Sequence, residues 1–141
     1  MEEAKGGGVI LAIDPGREKC GVAVVTRDGT VLHQAVTPAA EIGAVAHQLL
    51  GRYEVAHLAV GNRTAASVVR ERLSAAGVPL EPVLVDEHHS SEEGRRRYFQ
   101  ANPRKGWRRL VPVSMQTPPT AYDDYVAVIL AERYARSLPS G

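Results

Sequence analysis

Apolar residues along this chain fall first in short β-branched runs and later at helical spacing. Residues 9–13 form an apolar run that Asp14-Pro15-Gly16 stops, and after a polar step over residues 17–20 a second such run covers residues 21–26. A third spans residues 30–36. Arg27-Asp28-Gly29 joins it to the second, and Asp-Gly between β-rich runs is a strong hairpin signal. These three strands are expected to form an antiparallel meander closed by Thr37-Pro38. Ile42, Val45, Ala46, Leu49 and Leu50 then recur at helical spacing within residues 41–53, and a fourth strand, residues 57–60, ends at Gly61-Asn62-Arg63-Thr64. A second helix is expected over residues 65–76, with Ala65, Val69, Leu73 and Ala76 on one face and Gly77-Val78-Pro79 as its stop. Residues 83–85 make a short fifth strand that delivers Asp86-Glu87. Ser90 and Glu93 have capping-box spacing for a helix running to about residue 100. Residues 101–119 have no clean period and read as a long loop, a length uncommon in a compact domain unless it serves a purpose. The last helix covers residues 122–137.

This alternation predicts an α/β domain with a flexible tail at residues 1–8 and one globular unit over residues 9–137. At 141 residues, 44% of them hydrophobic, the chain has material for one substantial core. No apolar run approaches the ~20 residues of a membrane span, and MEEAKGGG lacks the basic and apolar regions of a signal peptide. The lone Cys20 excludes an intrachain disulfide and a thiolate zinc site, and fits the reducing cytoplasm.

Net charge is only +1, but its distribution is polarised. Seven of the fifteen residues from Arg95 to Arg109 are Lys or Arg and none is acidic, which leaves ten of the 17 basic residues against all 16 acidic ones, a balance of −6. Tyr98, Phe99 and Trp107 interleave with Arg95, Arg96, Arg97, Arg104, Lys105, Arg108 and Arg109. Cations take phosphates and rings stack on bases, so this stripe is expected to contact nucleic acid; the alternative is a solvated basic face with its aromatics folded inward.

Three acidic positions carry the chemistry. Asp14 ends a strand that reads as buried on both faces, where a bare carboxylate is costly unless a cation meets it; ordinary turn capping, or pairing with Arg17 or Lys19, is the competing reading. Glu87 ends the fifth strand, on the side of an alternating sheet where ligands bind. With Asp123 set at zero on the last helix, Val126, Ala127, Leu130 and Tyr134 all lie within about 60°, so Asp123 belongs to the buried stripe, while Asp124 lies about 100° round. Carboxylates converging on one crevice repel each other, and an oxygen-only set selects Mg²⁺ or Mn²⁺. Two such ions would support in-line phosphoryl displacement. The glycine turn before the second helix would point backbone N–H groups at an anion through Arg63 and Thr64, although Thr64 or Asn62 equally reads as an N-cap. His88 and His89 flank the acidic pair as positioning groups or as a solvated turn.

The segments DPGREKCGVAVV, LAVGNRT, VDEHHSS and YDDYVAVILAERY, in this order, resemble the YqgF/RuvX family of RNase H-like proteins. The resemblance implies a five-stranded mixed sheet flanked by helices, its first three strands antiparallel, and an activity in pre-16S ribosomal RNA processing or Holliday junction resolution. It implies Asp14, Glu87 and Asp123 as metal ligands, with Asp124 as a weaker candidate. Glu18 and His88 stand where the family usually carries basic residues, and GNRTAAS resembles the related domain within the transcription-associated protein Tex. The expected protein is a two-metal nuclease whose Lys19, Arg63, Thr64 and basic stripe hold RNA or DNA, with a homodimer where symmetric cutting is required. Its rivals are a non-catalytic nucleic-acid-binding factor on the same fold and a nucleotide-binding half of the actin and sugar-kinase kind, which would need a second lobe.

Overall fold

The computed structural model describes residues 8–103 and 122–139. Five strands form one mixed sheet in the order β3-β2-β1-β4-β5. They are β1 (Val9–Asp14), β2 (Lys19–Thr26), β3 (Val31–Pro38), β4 (Val55–Gly61) and β5 (Val83–Val85). The first three pair antiparallel, as the meander pattern predicts, and β4 and β5 then add in parallel to β1. Helices α1 (Ile42–Arg52), α2 (Ala66–Ala75), α3 (Ser90–Ala101) and α4 (Asp123–Ser137) complete the order, with a short 3-10 turn, Ala39–Glu41, before α1.

β1 is buried along its whole length because both faces of the sheet are covered. Side chains alternate along a strand, so Leu11, Ile13, Val22, Val24, Leu58 and Val60 meet Ile42, Ala46 and Leu49 of α1 and Val69 and Leu73 of α2. On the other face Ile10, Ala12, Ala23, Val25 and Ala59 meet Val126, Ala127, Leu130 and Ala131 of α4. The alanines at the centre of that second face let α4 lie close to the sheet. Residues 126–131 of α4 are all buried, a wider band than one stripe, since α3 closes the outer side. Gly94 of α3 is the contact point, where a Cβ would stand 2.7 Å from Val126 Cγ2.

Several expected boundaries shift. β2 starts at Lys19 and β3 runs on to Pro38, because the two strands keep pairing through Lys19↔Pro38 and Cys20↔Thr37. β4 gains Val55 and Ala56 by pairing with the start of β1. The hairpin forms at the expected place, with Gly29 at φ +98 and the Gly29 N–H donating to Thr26 O at 3.0 Å. The capping box does not form. His89 is the N-cap residue of α3, in the left-handed region at φ 62, and Ser90 Oγ is buried without a hydrogen-bond partner among the described residues. Thr64 is exposed and caps nothing, because α2 starts at Ala66 with Ala65 as its N-cap.

Gly21 sits directly under the first residue of α4, and a Cβ there would overlap the Asp123 carbonyl oxygen. Gly21→Ala is therefore expected to lose on the order of 3 kcal/mol of stability through forced displacement of a buried helix. Urea unfolding followed by circular dichroism checks this, with Gly51→Ala as the control, since a Cβ at Gly51 meets nothing within 4 Å.

Candidate active site

The parallel strands β1, β4 and β5 end at one edge of the sheet, and an acidic cluster gathers at their ends. In the register of β1 with β2, Asp14 lies opposite Gly21. Since Gly21 abuts the Asp123 backbone, the start of α4 is held beside Asp14. On the other flank β4 ends at Gly61, where a Cβ would overlap Glu87 Oε2. The bare backbone of two glycines, one on each side of Asp14, thus leaves the room that the Asp123 backbone and the Glu87 carboxylate occupy. The charges of Glu87 and Asp123 both act on the Asp14 carboxyl, so the three acidic groups are near neighbours. The three residues that sequence spacing singled out do come together.

Their environment is hostile to negative charge. Asp14 is 2% and Glu87 6% exposed. Burial above all, and then the charge of Glu87, raises the Asp14 carboxyl well above its ordinary range. Burial also raises Glu87, opposed by the contact with Asp14 and by Arg63. Asp123 is raised by burial and by neighbouring Asp124, and lowered by Arg63 and Lys19. With all groups ionised, Asp14 Oδ1 and Glu87 Oε1 are buried oxygens that accept no hydrogen bond among the described residues. A proton shared between the carboxyls, or a cation, has to supply what they lack.

Arg63 supplies part of it. Its Nε stands 2.9 Å from Glu87 Oε1, a charge contact without hydrogen-bond alignment. Its backbone N–H donates to Oε2 at 3.3 Å, and its Nη2 donates to Ser91 Oγ. Asn62 ties the same two loops together, its side-chain oxygen accepting the Glu87 N–H at 3.3 Å and its N–H donating to Val85 O at 3.0 Å. Neither Asn62 nor Ser91 was expected in these roles. Gly61 stands at its strand end level with Asp14, a relation set by strand register and carried by no local motif.

The remaining candidates divide. Asp124 faces β3, where Gln34 Nε2 donates to its Oδ2 at 3.0 Å, so it stands outside the crevice. Asp86 is exposed and accepts the His88 N–H at 3.0 Å, so only the second member of the acidic pair points inward. His89 Nδ1 meets Glu92 Oε1 at 3.1 Å on the surface, against the ring of exposed His88. Lys19 is exposed at the rim.

The basic stripe needs correction. Arg97 donates to both carboxylate oxygens of Glu132, at 3.0 and 2.8 Å, and to Glu93 at 2.6 Å, so it joins α3 to α4 and is spent within the fold. Tyr98 is buried against Phe99 and Tyr125. Arg96 is exposed and Arg95 half-buried. Arg104, Lys105, Trp107, Arg108 and Arg109 lie outside the described residues. Among the described residues no three or more His, Cys, Asp and Glu side chains are grouped closely enough to hold a metal ion as they stand, and no helix is long and apolar enough to cross a membrane.

No family model matches this sequence, and no curated protein does. Among solved structures the chain is similar to Thermus thermophilus RuvC in complex with a Holliday junction substrate, with a TM-score of 0.50 and 19% identity over 91% of this chain and 94% of that one. It is likewise similar to a second T. thermophilus RuvC structure, with a TM-score of 0.51 and 18% identity over 91% and 95% of the two chains. At this identity the likeness establishes the RNase H-like fold.

The raised Asp14 carboxyl has a consequence for stability. A carboxyl raised in the folded state binds its proton more tightly there than in the unfolded chain. Its contribution is therefore full below the ordinary carboxylate value of 3.8 and is lost as pH rises through the higher folded value. In chelator, melting temperature is expected to fall from mildly acidic toward alkaline pH. Asp14→Asn should flatten that slope and melt a few degrees higher at pH 8, since ~1 kcal/mol is worth about 3–4 °C in a domain of this size. Thermal melts of both proteins across pH 4–9 check this.

Proposed function

We propose that this chain is a divalent-metal-dependent nuclease of the YqgF/RuvX kind, cutting structured nucleic acid such as a four-way DNA junction or a ribosomal RNA precursor. One observation carries the reading: Asp14, Glu87 and Asp123, from the start, middle and end of the chain, are brought near one another, and two buried oxygens of Asp14 and Glu87 accept no hydrogen bond among the described residues. Structural packing alone gives no reason to bury two carboxyls beside a third acidic group, since desolvating such groups costs several kcal/mol. The donor set is oxygen-only, which suits a hard cation such as Mg²⁺ or Mn²⁺. The solved RuvC structure with a Holliday junction substrate, on the same fold, adds support for a nucleic acid as the ligand.

Asp14, Glu87 and Asp123 would hold the metal. Bound there, divalent ions would activate water and offset the charge that builds on the phosphoryl oxygens during displacement. Asp14 lies between the two glycines against which the Asp123 backbone and the Glu87 carboxylate sit, so its loss would remove the group common to both halves of the site. Lys19, whose charge acts on Asp123, and Arg96 on α3 are exposed cations that would hold phosphates. Symmetric cleavage of a four-way junction would need two copies of this site related by a two-fold axis.

A second reading, a nucleic-acid-binding factor without turnover, is favoured by the contact of Arg63 with Glu87, which already sets a cation against one of the carboxylates. A panel of single-stranded RNA, single-stranded DNA and a four-way junction, each with and without Mn²⁺, separates the two. Metal-dependent cleavage of any of them is expected. Asp14→Asn should lower it on the order of 10³-fold while leaving binding, measured by fluorescence anisotropy, within about twofold. Salt-sensitive binding with no cleavage of any substrate would favour the non-catalytic reading.

A further inference from the structure

Arg63 was expected to hold a phosphate, yet its guanidinium turns inward. The two partners of this contact differ in freedom. The Glu87 side chain is 4% exposed, under the Cβ-less backbone of Gly61, whereas that of Arg63 is 43% exposed. The carboxylate is enclosed, and the guanidinium is open to solvent on its outer side. Two separate attachments hold Arg63. Its backbone N–H on Oε2 positions the loop, and its Nη2 on Ser91 Oγ anchors the side chain. The side chain is therefore able to leave while the loop stays. Its positive charge also acts on all three carboxyls of the cluster.

We propose that Arg63 is a tethered counter-ion of the carboxylate cluster, seated on Glu87 and latched by Ser91, which an incoming divalent cation must displace. This rests on the metal-dependent reading above. Glu87 Oε1 is the oxygen that Arg63 faces, so a cation that takes this oxygen and the guanidinium compete for one place. The consequence is a cluster that stays electrically offset when empty and binds metal more weakly than its carboxylates alone would. Once released, the guanidinium remains at the mouth of the crevice on the 61–64 loop, where a substrate phosphate is its natural partner.

Calorimetric titration of the full chain with MnCl₂ tests this, because it reads metal uptake without any substrate or turnover. Arg63→Gln, which keeps length and loses charge, is expected to bind Mn²⁺ about fivefold more tightly, the equivalent of an ion pair worth ~1 kcal/mol. Ser91→Ala, which loosens the latch and leaves every charge in place, should bind about twofold more tightly. It also provides the decision should Arg63→Gln fail to fold. Wild-type affinity equal to or tighter than that of the folded variants overturns the counter-ion role and leaves the metal-dependent reading standing. Absence of Mn²⁺ uptake by wild type and variants alike overturns both.

Discussion

A carboxylate buried between two apolar layers is the constraint on which this structure turns. Asp14 ends the central strand of a sheet covered on both faces, so water cannot solvate it, and Glu87 beside it is nearly as enclosed. The charge of Glu87 makes ionisation of Asp14 harder, whereas the contact with Asp14 favours the ionised form of Glu87. A fold of this size has a net stability of only ~5–15 kcal/mol, so such an arrangement is a sizeable burden on it. The surrounding structure offsets it locally. Lys19 and Arg63 place positive charge at the crevice, and the backbone N–H of Arg63 meets Glu87 Oε2.

The scaffold that fixes these groups is built by contacts far from them. Arg97 clamps Glu132 with two hydrogen bonds and holds Glu93 with a third, so α3 and α4 are joined by charge along the sides they share. Arg133 of α4 donates to Asp86 O at 2.8 Å, which ties the loop bearing Glu87 to the same helix that presents Asp123. Asn62 and Arg63 bind that loop from the β4 side. Each acidic residue therefore sits at the end of an element anchored on at least two sides, which keeps mutually repelling groups from separating.

Much of this was legible in the residues. β-branched apolar runs, an Asp-Gly turn and helical spacing located the five strands and four α-helices among the described residues, because those patterns report burial directly. Asp123 was separable from Asp124 by helix angle alone, and Gln34 indeed takes Asp124 to the far side. What escaped depended on pairing across the sheet. Nothing local to Gly21 or Gly61 says that each neighbours Asp14, since that follows from strand register. The stripe around Arg97 looked free of acidic residues along the chain, but Glu132 lies 35 positions away in sequence and meets it in space. Ser90 and Glu93 have the spacing of a capping box, yet His89 takes the N-cap position and Glu93 turns to Arg97 instead.

Register also decides which chemistry the crevice supports. Side chains alternate along a strand, so a one-residue slip of β2 against β1 would carry Gly21 away from Asp14 and bring Cys20 or Val22 beneath the start of α4. Either side chain would lift the helix from the sheet and take Asp123 out of reach of Asp14. The same slip would move the valines at 22, 24 and 25 off the faces they fill, so the apolar pattern penalises it over the whole strand. The acidic site has little power to hold itself together. Its geometry is imposed by hydrophobic packing whose energy is spread along β1, β2 and α4, which is how a fold keeps three like-charged groups within reach of one another.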